Sequence, residues 1–199
     1  MIATSTNPKD DALEALAKRV GVKCFRGSED DVLKRVLDAA YFAKADHILE
    51  LWGDTPLLDS KVIDYAISFY KDNDFDCIGT LEKAYPWGMS LLIFPTKVLA
   101  EVDTITQDPV DRENVSSYIY EHPKQYAVSD LPCPAHLFRP EVRLTVDEAA
   151  DLEFVTKIFE ALRPHNRFFD TEDILKFIDS NPQLLEINNK VKQRVLRQS

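Results

Sequence analysis

Two aspartates, Asp54 and Asp147, each follow a short apolar run and each open a polar turn. Asp54 lies in Gly53-Asp54-Thr55-Pro56-Leu57, directly after the apolar stretch 47–51, and Asp147 follows Arg143-Leu144-Thr145-Val146. A carboxylate held by a tight turn at the carboxyl end of a strand is well placed to coordinate a hard divalent cation. Taken singly, each has a plainer reading, Asp54 as a turn cap and Asp147 as the N-cap of the helix behind it. As a pair they could share one Mg2+, with nucleotide phosphates filling the remaining octahedral positions. Such a metal offsets charge that develops at a phosphorus under attack. A third cluster, Arg26-Gly27-Ser28, also sits between a strand and a helix. Backbone amides with an arginine there suit a phosphate or a base edge. The alternative makes Ser28 a helix cap and Arg26 a surface residue.

Other chemistries find no support. His47, His122, His136 and His165 show neither HxH nor HExxH spacing, and no G-x-S-x-G elbow is present. Neither G-x-G-x-x-G nor G-x-x-x-x-G-K-[ST] occurs. Cys24, Cys77 and Cys133 are odd in number and far apart, which suggests buried thiols in a reducing compartment rather than a zinc site or a disulfide framework. The net charge of −10 weighs against a nucleic-acid partner, whose binders carry a basic stripe. No apolar run approaches a membrane span of roughly 20 residues, and the amino terminus lacks a signal pattern. A cytoplasmic protein is expected.

These residues need elements to position them. Apolar spacing predicts strands at 2–5, 22–25, 47–51, 76–79, 90–94, 126–129 and 142–146. Helices are expected between them. Asn7-Pro8 opens the first and Gly21 ends it; Ser28 with Asp31 reads as a capping box for the second, and Asp59 caps the third. Further helices are expected at 96–102, at 112–121, and from Asp147 through Leu162. Such alternation predicts an α/β domain over 1–162 with a mainly parallel sheet flanked by helices. Residues 163–199 read as a linker and a helical tail that ends in the basic run 190–197.

Several stretches in this order resemble one family. They are the segment 2–11, Phe25-Arg26-Gly27-Ser28-Glu29-Asp30-Asp31, Gly53-Asp54-Thr55-Pro56-Leu57, Asp111-Arg112-Glu113, and Arg143-Leu144-Thr145-Val146-Asp147. The chain resembles the cytidylyltransferases of the spore-coat polysaccharide (SpsF) type, more distantly the CMP-KDO and CMP-neuraminate synthetases. The resemblance implies a Rossmann-like nucleotidyltransferase fold, transfer of CMP from CTP to a sugar or sugar acid, and a homodimer. It implies Mg2+ on Asp54 and Asp147, nucleotide contacts from Arg26, Gly27 and Ser28, and a sugar side around Tyr85, Gly88, Arg112 and Glu113.

There are departures. The family's opening strand and loop, of the type A-R-x-G-S-x-R-L-P-x-K, has no counterpart here, which makes the chain look N-terminally truncated and leaves strand edges open. Glu50 stands where the family has Arg, Ser90 and Leu92 stand for its Asp and Glu, and Asn114 stands for its His. Little or no transferase activity is therefore expected of the 199 residues alone. The alternative is a non-catalytic remnant of the same fold that dimerises through residues 85–121 or the helical tail.

Overall fold

The structure is a computed structural model that describes residues 1–81 and 84–192 of the chain. Its elements form two sheets. In the smaller, β1 (Ile2–Ser5) pairs in parallel with β2 (Cys24–Gly27), with Ile2 opposite Cys24 and Ser5 opposite Gly27. A 3-10 turn over Pro8–Asp10 leads into α1 (Asp11–Val20) and connects the pair. Asn7 accepts a hydrogen bond from Lys9 N, Pro8 sits at the first helical position, and Gly21 closes α1 at φ +74°. The expected entry and exit signals operate as the sequence suggested.

The larger sheet has the order β3-β5-β4-β6, formed by β3 (His47–Glu50), β5 (Leu92–Pro95), β4 (Cys77–Gly79) and β6 (Val128–Asp130). β3, β4 and β6 run one way and β5 runs against both its neighbours. The sheet is thus mixed, not mainly parallel. The cause is the connection from β4 to β5, which contains no described helix and so cannot serve as a crossover back to a parallel strand.

β5 is an inner strand and all four of its residues are buried. Ile93 packs with α3 (Ser60–Lys71), α7 (Ala149–Leu162) and α8 (Thr171–Ser180) on one face. Leu92 and Phe94 pack with α2 (Val32–Ala43), α4 (Thr96–Ile105) and α6 (Ser117–Glu121) on the other. A strand buried on both faces reads as a continuous apolar run, which is what Leu91-Leu92-Ile93-Phe94 is.

Several boundaries differ from expectation. β2 lies two residues later than predicted. α2 begins at Val32 because Asp31, not Ser28, caps it by accepting from Lys34 N; Ser28 Oγ accepts from Asp31 N instead. The helix expected over 112–121 is two short ones, α5 (Pro109–Glu113) and α6, separated where Val115 takes φ +52°. Residues 142–146 are no strand: only Arg143 forms a bridge, to Trp87. α7 starts after Glu148, whose side chain forms a capping box with Asp151, so Asp147 is relieved of the cap duty that the sequence offered it.

The helical tail is no loose appendage. Ile174, Leu175 and Ile178 of α8 belong to the same buried cluster as Phe154, Val155 and Ile158 of α7. Thr171, fully buried, donates from N (2.8 Å) and from Oγ1 (2.9 Å) to Asp59 Oδ2. Most of the basic run 190–197 lies outside the described residues. No described helix is long and apolar enough to cross a membrane.

Candidate functional site

Asp54 and Asp147 come from loops 93 residues apart, and the backbone brings them together. Val146 N donates to Asp54 O at 2.8 Å, and Thr145 Oγ1 donates to the same oxygen at 3.1 Å. Asp147 follows immediately. The extended segment 142–146 is held from its other side by the loop that carries Gly88: Trp87 N donates to Val142 O at 2.9 Å and Leu144 N to Trp87 O at 2.6 Å. The two aspartates therefore share one rim beyond the carboxyl end of β3.

Their electrostatics show the proximity. Partial burial pushes the Asp54 carboxyl above the usual aspartate range, and the negative charge of Asp147 pushes the same way; Thr145 and Arg143 pull against them. Asp147 is also tied to Arg143, whose guanidinium contacts its Oδ2. A carboxylate whose ionisation a neighbouring carboxylate disfavours forms with that neighbour an oxygen donor set suited to a divalent cation. They are only two: among the described residues no group of three or more His, Cys, Asp or Glu side chains is placed to hold a metal.

Beneath the rim lies a network that sequence reading missed. Arg143 Nε donates to Asp151 Oδ1 at 2.9 Å, and Asn188 Nδ2 donates to the same oxygen at 2.9 Å and to Arg143 O at 3.1 Å. Asp151 Oδ2 accepts from the backbone N of Asp147 and of Glu148, both at 3.1 Å. Asp151 is fully buried and Arg143 nearly so. The signal was present in the spacing: Arg143, Asp147 and Asp151 are four apart, so one guanidinium can reach both carboxylates. Asn188, 37 residues beyond Asp151, gave no local sign.

A cavity of about 440 Å³ opens beside the rim, lined by Trp52, Asp54, Trp87, Gly88, Asn114, Tyr120 and Thr145 among others. Both tryptophans of the chain line it. A larger cavity, about 860 Å³, lies around Lys44, His47, Tyr70 and Lys97. It is at the amino end of β3, away from both aspartates, and gathers none of the residues singled out in the sequence. The smaller cavity is the candidate site.

Gly88 was expected on the sugar side and lines this cavity, and its backbone carries a second duty. At φ +101°, a Cβ would stand 2.7 Å from both Leu144 C and Thr145 N. Gly88→Ala is therefore expected to displace the segment carrying Asp147 and to lower stability by more than ~1 kcal/mol. Thermal denaturation with and without Mg2+ checks both effects.

The other predicted residues lie elsewhere. Arg26 donates to Ser5 O (2.8 Å), Asn7 O (2.8 Å), Asp11 (2.6 Å) and Glu14 (3.1 Å), so its guanidinium ties β2 to β1 and α1. Gly27 closes against Arg35, whose Cγ would be 2.9 Å from an added Cβ. None of Arg26, Gly27 and Ser28 lines the cavity with Asp54. Arg112 clips α2, α4 and α5 together through Asp31 (Nη2 to Oδ2, 2.5 Å) and Asp103 (2.8 Å). Glu113 is exposed beside it. Tyr85 is buried with its hydroxyl donating to Pro132 O at 2.8 Å, and burial pushes that hydroxyl's pKa up.

Comparison with known proteins agrees with this geometry. The family model described as cytidylyltransferase matches residues 1–191. An uncharacterized protein of Methanocaldococcus jannaschii, MJ1063, is 34% identical over 200 residues, which cover all of this chain and 80% of that protein. The spore coat polysaccharide biosynthesis protein SpsF of Bacillus subtilis is 30% identical over 92% of this chain and 75% of its own length. The solved structure of a cytidylyltransferase from Leptospira borgpetersenii superposes with a TM-score of 0.86 at 28% identity, over 96% of this chain and 79% of that one. The mixed sheet, the shared carboxylate rim and these matches along nearly every residue lead to one assignment: the chain belongs to the cytidylyltransferase family.

Proposed function

We propose that the cavity beside Asp54 and Asp147 is where a sugar or sugar acid meets CTP, and that the reaction is CMP transfer. An acceptor hydroxyl attacks the α-phosphorus, a new P–O bond forms, and the bond to the β-phosphate oxygen breaks to release pyrophosphate. The observation that carries this reading is the Val146 N to Asp54 O bond, which sets the segment leading into Asp147 beside Asp54, a residue that lines the cavity. Trp52 and Trp87 line it, and aromatic rings are the residue type on which a sugar or a base packs; Asn114 and Thr145 add polar groups to the lining.

Asp54 and Asp147 would hold Mg2+, and the donor set fits it, because both are hard oxygen ligands and their mutual repulsion is relieved by a cation. When bound, that ion would neutralise phosphate oxygens and the charge that develops on them. Arg143 and Asp151 act by orientation, fixing the backbone from which Asp147 projects.

Among the described residues no lysine or arginine lines the cavity. Triphosphate affinity then lacks contacts that typically contribute ~1.5–3 kcal/mol each. The expected result is pyrophosphate release from CTP, in the presence of Mg2+ and a sugar acceptor, far below the roughly 10 s⁻¹ typical of enzymes. Release at full rate, or equally fast release without a divalent cation, would contradict the proposed site. The neutral lining at Ser90, Leu92 and Asn114 favours a second reading, a non-catalytic module of the same fold. CTP binding without any turnover would support it. Homodimer formation belongs to the proposal too, and light scattering of the eluted protein tests it.

A further inference from the structure

Glu50 is a carboxylic acid set into an apolar layer. It ends β3 on the face shared with Ile48, opposite Leu92 of β5, and it is 8% exposed. Leu92 lines the candidate cavity, as do Trp52, two residues beyond Glu50, and Asn114. Ser116 is near enough to favour ionisation of Glu50, yet neither Glu50 Oε2 nor the fully buried Ser116 Oγ has a well-formed hydrogen bond. Between Asn114 and Ser116 stands Val115, buried, with φ +52°. A β-branched residue in the left-handed region is strained, and such strain persists only when the surroundings hold it in place.

We propose that Glu50 is a proton-operated latch behind the cavity wall. With the carboxyl neutral, the strained segment 114–116 closes over it and sets Asn114 into the cavity. With the proton gone, a charge without an adequate partner sits under that segment, and the segment opens to admit water. Burying an unpaired charge is far costlier than burying a neutral acid, and the strain at Val115 favours the same release.

The neighbours leave Glu50 to titrate by itself. From β4 it is faced by Cys77, whose thiol burial pushes up to about 12, with Glu50's own charge adding to the shift, so the thiol stays neutral. From β5 it is faced by Leu92. In α5, Asp111 is turned toward Thr106 Oγ1 (2.6 Å) and Ser117 Oγ (3.2 Å). Burial raises Glu50 itself to about 7, with Ser116 pulling the other way. The folded-state pKa lies above the unfolded one, so the stabilising neutral form is fully populated in acid and is lost as pH rises through about 7.

The test needs no substrate, because the chain's two tryptophans, Trp52 and Trp87, both line this cavity. Tryptophan emission of the full chain is followed from pH 5.5 to 8.5, beside the 13C signal of the Glu50 carboxyl. The expected result is one emission transition that coincides with Glu50 titration near pH 7. Glu50→Gln should abolish it and hold the spectrum in its acidic form. Ser116→Ala should move the midpoint upward, and it decides the matter if Glu50→Gln does not fold. A transition that survives in Glu50→Gln, a Glu50 carboxyl that titrates in the ordinary glutamate range, or a midpoint unmoved by Ser116→Ala overturns the latch.

The consequence for catalysis rests on the transferase reading: KM for the acceptor should rise with pH in the parent protein and stay flat in Glu50→Gln. If no turnover is found, that reading fails while the spectroscopic result still stands or falls alone.

Discussion

Asp151→Ala is expected to lower the stability of this protein by about 3–5 kcal/mol, the range for removing one partner of a buried ion pair. For a domain of this size that is a fall in melting temperature of roughly 10 °C. The reason is geometric. Asp151 is fully buried, and its two oxygens receive Arg143, Asn188 and the backbone amides of Asp147 and Glu148. Its loss takes from a nearly buried guanidinium its fully buried carboxylate partner, and the carboxylate of Asp147 that also contacts it is half exposed. Although burial works against ionisation, Arg143, Asn188 and the two amides outweigh it, so the Asp151 pKa is depressed. A depressed carboxylate contributes stability that is present above its unfolded pKa and is lost as pH falls through the folded one. The gap between the parent protein and Asp151→Ala should therefore narrow in acid. Calorimetric melting at several pH values measures it, and a difference independent of pH would show that the network contributes through packing alone.

Asp54→Ala should leave the fold intact and raise the Kd for CTP in the presence of Mg2+ by roughly 10- to 100-fold, the equivalent of losing one charge-assisted contact. No stability loss is expected. The ionised Asp54 is disfavoured by burial and by Asp147, so removing it relieves repulsion. Because its pKa is raised, Mg2+-dependent binding should weaken on acidification at a higher pH than an ordinary aspartate would dictate. Isothermal titration of CTP with Mg2+ checks both statements. Binding unchanged by the substitution would remove Asp54 from the metal site.

Much of this site could be read before any coordinates. Asp54 and Asp147 announced themselves because each follows an apolar run and precedes a polar turn, a pattern confined to a few neighbouring residues. Asn7, Pro8, Gly21 and Asp59 marked helix ends for the same reason, since capping chemistry is confined to a few residues. What the sequence concealed was long-range. Arg26 looked like a ligand residue, yet its four acceptors, three of them on residues of α1 or the turn before it, become visible only when β2 lies beside β1. Arg112 follows the same course, held by Asp31, 81 residues away. Residues 142–146 carry a strand pattern but lie between two loops, Trp87 on one side and Asp54 on the other, so their hydrogen bonds never form a ladder. The reversal of β5 goes with a connection before it that holds no helix among its described residues. Apolar periodicity says which face is buried and nothing about direction.

The division into two sheets has a colloidal consequence. Among the described residues β1 pairs only with β2 and β3 only with β5, so each leaves backbone groups on its other side outside the ladders, although Ser5 N and O of β1 are taken by Asp10 and Arg26. Alongside β3 runs a groove of about 510 Å³, walled by Ile67, Tyr70 and Ile93 with Lys71 and Asp74, and an unpaired strand edge is a general site for pairing with an extended chain. The net charge of −10 opposes such encounters through mutual repulsion between molecules. High ionic strength, or a pH close to the isoelectric point near 4.9, weakens that protection and exposes the flanks to intermolecular pairing.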